Sequence, residues 1–210
     1  MSKVNIINHA VAENSLTILR DKTTSLEDFR KHSLIISKIL LTEALKNLNL
    51  GQKDIETPLT SFSGSELSDK VIAVPVLRAG LAMFFALQEL LPSVRVGFIG
   101  LERDEKTGVA REYYRKFPKI SGGEKFLILD PMLATGGSLE STIKLLKELG
   151  AKEIIVASII SAPEGLEKIE NAYPDVTIYT TAVDEKLDEK KYIVPGLGDF
   201  GDRYFGTDIQ

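Results

Sequence analysis

The segment at residues 126–138, Phe-Leu-Ile-Leu-Asp-Pro-Met-Leu-Ala-Thr-Gly-Gly-Ser, constrains the fold of this chain more than any other. The four apolar residues at 126–129 are too few for a helix and predict a strand that is buried on both faces. Asp130 follows at the expected end of that strand. Pro131 cannot donate a hydrogen bond to a sheet, so the chain should leave the sheet there. Apolar residues at helical spacing then predict a helix with Ser138 as its N-cap.

This strand, loop and helix together predict an anion-binding site. The loop at 135–138 consists of glycine and hydroxyl residues, and the free N–H groups at a helix N-terminus attract negative charge. A phosphate is the expected anion. Asp130 would repel a phosphate, so its expected partners are sugar hydroxyls or a bound Mg²⁺ with its waters. The predicted ligand carries both a phosphate and a diol, and the alternative is a turn whose small residues only allow close packing.

The sequence of this segment resembles the loop that binds 5-phosphoribosyl 1-diphosphate (PRPP) in type I phosphoribosyltransferases, and in particular the loop of the uracil phosphoribosyltransferase family. Most of the superfamily has two adjacent acidic residues before the loop. Here the second is Pro131, as is typical of the uracil branch. The PRPP-binding residues that the resemblance implies in this loop are Asp130, Pro131, Met132, Leu133, Ala134, Thr135, Gly136, Gly137 and Ser138.

A second predicted strand end carries an arginine. The apolar run at 71–74 predicts a buried strand, and Arg78 and Gly80 precede a helix rich in alanine and leucine. A cation at a helix N-terminus opposes the helix dipole, so we expect Arg78 to bind an anion rather than to be a surface residue. The resemblance implies that Arg78 contacts the diphosphate of PRPP. It also implies that Arg103, after the next strand, contacts the same group.

The residues at about 104–120 predict a mobile loop, because they mix charges with aromatic rings. The resemblance implies that this loop is a lid over PRPP. Gly100, Lys106 and Thr107 have the spacing of a nucleotide-binding P-loop. However, Glu105 stands where the second glycine is required and would face a phosphate, so we reject that interpretation.

The C-terminal run at 192–206 contains four glycines among aromatic and aliphatic residues. The glycines disfavour a packed helix or strand, whereas the alternation predicts a wrapped backbone that can offer N–H and C=O groups to a small planar ring. The resemblance implies a base-binding hood at about 184–210. The uracil contacts that it implies are Ile193, Gly198, Asp199 and Phe200.

Two points about these hood residues bear on the reaction. The family more often has alanine at Phe200, so uracil fits unchanged if the contact is made by the backbone, and the pocket is narrower or altered if it is not. The resemblance implies catalysis by Arg78, Arg103 and Asp199, with Asp199 facing PRPP and its Mg²⁺. It implies no metal held by direct ligation, since PRPP carries the ion.

The order of these segments predicts the fold class. Helices lie between most of the predicted strands, which indicates an α/β fold with a doubly wound, mostly parallel sheet of about five strands. The strands begin near residues 71, 95, 126, 153 and 176. Because ligands bind beyond the carboxyl ends of such strands, the predicted site residues should meet at one edge. We expect a single domain at 1–210.

Three further elements are predicted outside this alternation. Ser25 begins a capping box, and apolar residues continue at helical spacing until Gly51 on two faces of a helix. Residues 57–62 predict a strand with its turn at 63–65, in a small β arm rather than in the main sheet. An edge strand is predicted at 4–7, followed by a polar turn.

Composition excludes several classes of function. The net charge of −4 and the pI near 5.4 argue against nucleic acid or an anionic membrane as partner. The absence of cysteine excludes disulfides, thiolate metal sites and a thiol nucleophile, and the two histidines lack metal-ligand spacing. No apolar run approaches the length of a membrane span. We therefore expect a cytoplasmic protein.

The resemblance covers nearly the whole chain and implies a reaction of uracil with PRPP, with Mg²⁺ required, that gives UMP and diphosphate. It also implies a homo-oligomer, either a dimer or a tetramer, with GTP or CTP as candidate effectors. Two alternatives stay open: a nucleotide-sensing regulatory protein on the same fold, and a phosphoribosyltransferase for a purine base.

Overall fold

The structure of this chain, a computed structural model, describes residues 4–103 and 110–207, with the side chains of Arg103 and Ala110 outside the described part. This part has six helices and thirteen strands. The helices are α1 (Ala10–Arg20), α2 (Leu26–Leu45), α3 (Gly80–Leu90), α4 (Gly137–Glu148), α5 (Pro163–Ala172) and α6 (Phe200–Phe205). The strands are β1 (Val4–Ile6), β2 (Leu50–Glu56), β3 (Ser61–Leu67), β4 (Val71–Leu77), β5 (Arg95–Val96), β6 (Phe98–Arg103), β7 (Ala110–Lys116), β8 (Lys125–Leu129), β9 (Met132–Leu133), β10 (Glu153–Ser161), β11 (Thr177–Val183), β12 (Lys186–Leu187) and β13 (Ile193–Val194). Among the described residues, none of the helices is both long and apolar enough to cross a membrane.

Nine strands form the main sheet. Seven of them follow one another in the order β1-β11-β10-β8-β4-β6-β7, with β5 beside β4 and β9 beside β10. Neighbours are parallel except β6 and β7, which are antiparallel. The predicted α/β fold with a mostly parallel sheet is therefore confirmed. The sheet has nine strands rather than about five, because β7, β9 and the predicted edge strand β1 join it and the strand predicted near residue 95 is divided into β5 and β6.

Helices cover both faces of this sheet. Successive residues of a strand point to opposite faces, so neighbouring residues pack against different helices. Ala73 of β4 belongs to an apolar cluster with α1, α2, α3 and α6, whereas its neighbours Ile72 and Val74 belong to a second cluster with α4 and α5. Strand β8 is divided in the same way and is buried along 126–129, as predicted. The two layers leave the carboxyl ends of the central strands open at one edge of the sheet.

The two N-terminal helices differ in how well the sequence predicts them. Helix α2 begins as predicted, since the Ser25 hydroxyl accepts the N–H of Asp28 at 3.1 Å. It ends at Leu45 rather than near Gly51, because the arm begins at residue 50. Helix α1 replaces the predicted polar turn. Its buried face is a narrow stripe of Ala12, Ser15, Leu16 and Leu19.

Strands β2 and β3 form an antiparallel arm outside the main sheet, as predicted, but the turn lies elsewhere. The turn is at 57–60, whereas the predicted turn at 63–65 is inside β3. Thr57 fixes the turn, since its hydroxyl accepts the N–H groups of Leu59 and Thr60 at 3.2 and 3.0 Å. The first strand of the arm therefore begins earlier than predicted.

The prediction of a mobile loop at 104–120 is wrong for the residues of β7. Residues 110–116 are a strand paired with β6. The Tyr113 ring covers Gly100 of β6 so closely that a Cβ added at Gly100 would lie 2.5 Å from the ring. A ring that covers a glycine on the neighbouring strand helps to fix the register. Residues 104–109 lie outside the described part of the chain.

Candidate active site

The predicted phosphate loop connects β8 to α4. The chain leaves β8 after Leu129, forms the short strand β9 beside β10, and enters α4 at Gly137. Gly136 is the N-cap, with a left-handed φ of 76°, so the prediction of Ser138 as the N-cap is wrong. Glycine adopts this conformation readily. Gly136 has no side chain that could cap the helix, and the N–H of Gly137 donates to the Thr135 hydroxyl at 3.4 Å. The N–H groups that follow at the start of α4 can therefore bind an anion.

A small cavity opens at this loop, and eight of the nine predicted loop residues line it. The lining residues are Asp130 and those from Met132 to Leu139. Pro131 is the exception. It is buried, and its carbonyl oxygen accepts the N–H groups of Ile159 and Ile160 at 3.0 and 3.1 Å. Pro131 thus anchors the loop to β10.

Helix α5 supports this loop through Gly165. A Cβ added at Gly165 would overlap the carbonyl oxygen of Ala134, and one added at Gly136 would lie 3.2 Å from the carbonyl oxygen of Gly165. The backbones of the loop and the helix are therefore in direct contact, and the position of the predicted phosphate loop depends on a residue that sequence reasoning did not single out.

The Gly165→Ala variant is expected to unfold at a lower temperature and to bind PRPP, the ligand that the resemblance implies, more weakly, because the added methyl group must displace the loop at Ala134. Overpacking of this kind costs about 1–3 kcal/mol. Thermal unfolding and the KM for PRPP measure the two effects. Gly51→Ala is the control, since its Cβ would meet only the Cβ of Ser68 at 3.5 Å. Equal behaviour of the two variants would contradict the prediction.

Asp130 is half-buried at the mouth of the cavity. Its Oδ1 accepts the N–H of Met132 at 3.3 Å, and its carbonyl oxygen accepts the Ser158 hydroxyl at 2.6 Å. Burial raises the pKa of the carboxyl group from its ordinary value of 3.8 to about 7, and the hydrogen bond from Met132 opposes this rise. A ligand that donates hydrogen bonds would stabilise the charged form.

Strand β4 brings Arg78 to the same edge of the sheet. Pro75 of β4 is paired with Leu129 of β8, and a Cβ added at Gly80 would overlap the carbonyl oxygen of Leu129. The turn that carries Arg78 is therefore held against the end of β8, next to the phosphate loop.

The Arg78 side chain reaches across to the C-terminal segment. One guanidinium nitrogen lies 3.0 Å from Oδ1 of Asp202, and the other donates to the Thr207 hydroxyl at 3.3 Å. The peptide bond between Leu77 and Arg78 is cis. Because 56% of the Arg78 side chain is exposed, the ion pair contributes little to stability and leaves the guanidinium accessible to a ligand.

The hood, residues 184–207, closes the site. It contains the β12–β13 pair and the six-residue helix α6, so the prediction that its glycines disfavour packed structure is wrong. A Cβ added at Gly201 would lie 3.7 Å from the Cβ of Ala79, which places α6 over the turn that carries Arg78. A cavity of about 380 Å³ lies between the hood and the phosphate loop. Its lining consists of Met132, Ala134, Lys190, Lys191, Tyr192, Ile193, Gly198 and Asp199.

Three of the four predicted base-binding residues, Ile193, Gly198 and Asp199, line this cavity. Asp199 is also the N-cap of α6 and accepts the N–H of Asp202 at 2.9 Å. The Phe200 side chain is buried in the core instead, with its ring 5.2 Å from that of Phe29 and 6.0 Å from that of Tyr204. A contact from Phe200 to a base would have to come from its backbone.

Arg103 is placed by its backbone alone. It ends β6, three residues beyond Gly100, which is paired with Leu77 of β4. The parallel register puts Arg103 at the carboxyl end of β6, on the same edge as Arg78. Its side chain lies outside the described part of the chain, as does the central part of the predicted lid.

Sequence reasoning missed three charged residues that hold the hood in place. Arg20 of α1 forms an ion pair with the buried Asp184, and Arg203 of α6 donates to main-chain carbonyls of Leu19, Asp21 and Leu197. Arg20 and Asp184 are 164 positions apart, so no local pattern connects them.

Within residues 4–102 and 111–207, no group of three or more histidine, aspartate and glutamate side chains is arranged to hold a metal ion. Each of the two cavities, however, has a carboxylate in its lining, Asp130 in the first and Asp199 in the second. Carboxylate oxygens suit a hard cation such as Mg²⁺, so these groups fit a metal that arrives with a phosphorylated ligand.

Comparison with known proteins identifies relatives along the whole chain. The family model described as uracil phosphoribosyltransferase matches residues 6–207. The uracil phosphoribosyltransferase of Clostridium tetani is 47% identical over 99% of this chain and 100% of its own length. That of Campylobacter concisus is 45% identical, again over 99% of this chain and 100% of its own length.

Solved structures agree with this fold. The AQ2163 protein of Aquifex aeolicus has a TM-score of 0.93 and 35% identity, over 99% of this chain and 100% of its own. The adenine phosphoribosyltransferase of Leishmania donovani has a TM-score of 0.61 at 15% identity, over 91% of this chain and 88% of its own. The second likeness supports the fold alone.

Proposed function

The chain belongs to the uracil phosphoribosyltransferase family, and we propose that its two adjoining cavities transfer the 5-phosphoribosyl group of PRPP to uracil, which gives UMP and diphosphate. The observation that carries this proposal is the cavity shared by the phosphate loop and the hood. It can hold a base against the sugar of a ligand whose 5′-phosphate occupies the loop. The reaction is that of a pentosyltransferase in pyrimidine salvage.

PRPP is bound by residues at three strand ends. The N–H groups at the start of α4 and the hydroxyls of Thr135 and Ser138 bind the 5′-phosphate. Asp130 accepts hydrogen bonds from the ribose hydroxyls. Arg78 and Arg103 bind the diphosphate, because a guanidinium can donate two parallel hydrogen bonds to phosphate oxygens.

The residues present fit an Mg²⁺ ion carried by PRPP, and the carboxylate of Asp199 would face that ion. When bound, the ion neutralises part of the charge on the diphosphate. The negative charge that builds on the leaving diphosphate is also stabilised by Arg78 and Arg103.

Uracil is held by the backbone at Ile193, Gly198 and Phe200, where main-chain N–H and C=O groups complement the two carbonyls and two N–H groups of the base. This keeps the attacking ring nitrogen close to the anomeric carbon. Catalysis by Arg78, Arg103 and Asp199 thus combines orientation of the reactants with electrostatic stabilisation of the leaving group.

Product formation from labelled uracil tests the function. UMP is expected only when both PRPP and Mg²⁺ are present, and unlabelled hypoxanthine or adenine should not compete. Competition by either purine would favour a purine phosphoribosyltransferase. Binding of nucleotide without any turnover would favour a regulatory protein on the same fold.

The Phe200→Ala variant is expected to lose stability and to keep its affinity for uracil. Removal of a fully buried phenylalanine ring costs about 3–5 kcal/mol, because a cavity is left beside Phe29 and Tyr204. The KM for uracil should change by less than about threefold, since the side chain does not line the cavity. Denaturant unfolding and initial rates measure the two effects. A large rise in this KM at unchanged stability would place the ring in the pocket.

We also propose one domain at 1–210 that assembles as a homo-oligomer, either a dimer or a tetramer. The arm formed by β2 and β3 exposes large apolar side chains that an assembly would cover. They are Leu50, Ile55, Leu59, Phe62 and Leu67. Light scattering in solution gives the number of subunits, and addition of GTP or CTP to the uracil assay tests whether either is an effector.

A further inference from the structure

We propose that Arg20 of α1 is a positioning residue for uracil and that it acts by holding the turn at 195–197 in the hood. The proposal rests on the proposed function, because it assigns Arg20 to the base-binding half of that site. Arg20 does not line the cavity, so its effect must pass through the backbone of the turn.

One ion pair binds both main-chain groups of Gly196. The two terminal nitrogens of Arg20 lie 2.8 and 2.5 Å from the two carboxylate oxygens of Asp184. Arg20 also donates to the carbonyl oxygen of Gly196 at 2.7 Å, and Asp184 accepts the N–H of Gly196 at 2.8 Å. Asp184 is nearly inaccessible, with 3% of its side chain exposed, so these charge-assisted bonds are shielded from water.

The turn held in this way connects two walls of the base cavity. Ile193 and Gly198, which lie on either side of it, both line the cavity. Gly196 has a left-handed φ of 62°, and a Cβ there would overlap the carbonyl oxygen of Ile193. The turn is therefore tight, and a shift of Gly196 would move the main-chain groups at Ile193 and Gly198 that are proposed to bind uracil.

Arg203 ties the same turn to the same helix by a second route. It donates to the carbonyl oxygen of Leu197 at 2.7 Å and to that of Leu19, and its guanidinium lies 4.4 Å from the centre of the Phe29 ring. The C-terminal end of α1 and the turn are thus joined by two arginines. The hydrogen bonds of Arg20 go to one residue of the turn, Gly196, and to Asp184, which itself binds Gly196.

The Arg20→Lys variant separates charge from geometry. Lysine keeps the positive charge but cannot donate to Asp184 and to Gly196 in the fixed fork of a guanidinium. We expect the KM for uracil to rise about tenfold, which corresponds to one hydrogen bond to a charged group, while the KM for PRPP stays within about twofold. The Kd of UMP, measured by calorimetry, should rise in parallel and needs no turnover.

Arg95→Lys is the matched control. Arg95 is also an arginine that pairs with a fully buried carboxylate, Glu124 at 2.9 Å, and donates to a main-chain carbonyl, that of Lys119 at 3.0 Å. It lies at the amino ends of the strands, since it is paired with Ile72 near the start of β4. This variant should lose comparable stability and leave both KM values unchanged.

The outcomes separate the inference from the proposed function. An unchanged KM for uracil, or an equal rise in both KM values, in Arg20→Lys would overturn the inference alone. If that variant does not fold, Asp184→Asn takes its place with the same expectation. Failure of both to fold would also overturn it, because the ion pair would then serve the whole domain. Lack of uracil turnover by the unmodified protein would remove the proposed function itself.

Discussion

The Arg78→Ala variant is expected to lose about two to three orders of magnitude in kcat/KM for PRPP, the usual effect of removing a group that stabilises transition-state charge. Arg78 is held at the carboxyl edge of the sheet by the contact of Gly80 with Leu129. Its guanidinium bonds to Asp202 and Thr207 in the structure and is mostly exposed. We expect it to exchange these partners for the oxygens of the diphosphate.

The same variant should remain folded. An exposed ion pair contributes at most about 1 kcal/mol, so the loss of the Arg78–Asp202 pair leaves the melting temperature nearly unchanged. Initial rates at varied PRPP and thermal unfolding measure the two effects. Lys38→Ala is the control, because it removes another surface pair, with Glu89 at 2.6 Å, and Glu89 lies at the opposite end of α3 from Arg78. Unchanged kinetics in Arg78→Ala would exclude this residue from the site.

The phosphate loop is the part of the site that the sequence predicts best, because its strand, its turn and its helix follow one another without a gap. Asp130 and the loop at 132–138 line one cavity, as their spacing predicts. The N-cap was misplaced because the hydroxyl of Ser138 and the backbone freedom of Gly136 are both good capping features. Residue type alone does not decide between them.

The elements that the sequence does not predict depend on distant partners. Helix α1 has a short buried stripe that includes Ser15, and its length gives little periodicity. The sequence of β7 does not show that its aromatic residues are packed, because Tyr113 covers Gly100, which is on another strand. The partner of Arg20 is likewise set by the folded chain and not by any local pattern.

The base-binding half of the site was predicted through resemblance more than through residue chemistry. Glycine spacing indicated a wrapped backbone, and the cavity between loop and hood fits that expectation. The same glycines were wrongly expected to prevent α6, which Asp199 caps. Phe200 could not be placed from the sequence, since only the packed core shows its ring against Phe29.

The Asp130→Asn variant is expected to raise the KM for PRPP by about two orders of magnitude at pH 8, because two hydrogen bonds from the ribose diol to a carboxylate are each worth about 1.5–3 kcal/mol. An amide offers one acceptor oxygen and two donors, so it can accept from only one of these hydroxyls well. The volume is nearly unchanged, and the loop should keep its shape.

The two proteins should also differ in their dependence on pH. With a pKa of about 7, Asp130 is mostly protonated at pH 6, and kcat/KM for PRPP should be about tenfold below its plateau there. Between about pH 4 and 7, Asp130 carries a proton in the folded state but not in the unfolded state. The contribution of Asp130 to stability is therefore present at low pH and is lost as the pH rises through 7.

The Asp130→Asn variant should lack both the fall in kcat/KM and the change in stability that the titration of Asp130 causes. It should be more stable than the unmodified protein at pH 8, because a buried charge has been removed. PRPP itself titrates near neutral pH, and this titration affects kcat/KM in both proteins. The pH profile of the variant shows the effect of PRPP alone, which is then subtracted from the profile of the unmodified protein. Thermal unfolding at pH 5 and pH 8 gives the second measurement without any substrate. Identical pH profiles for the two proteins would show that Asp130 is ionised throughout, and that burial at the end of β8 does not hold its proton.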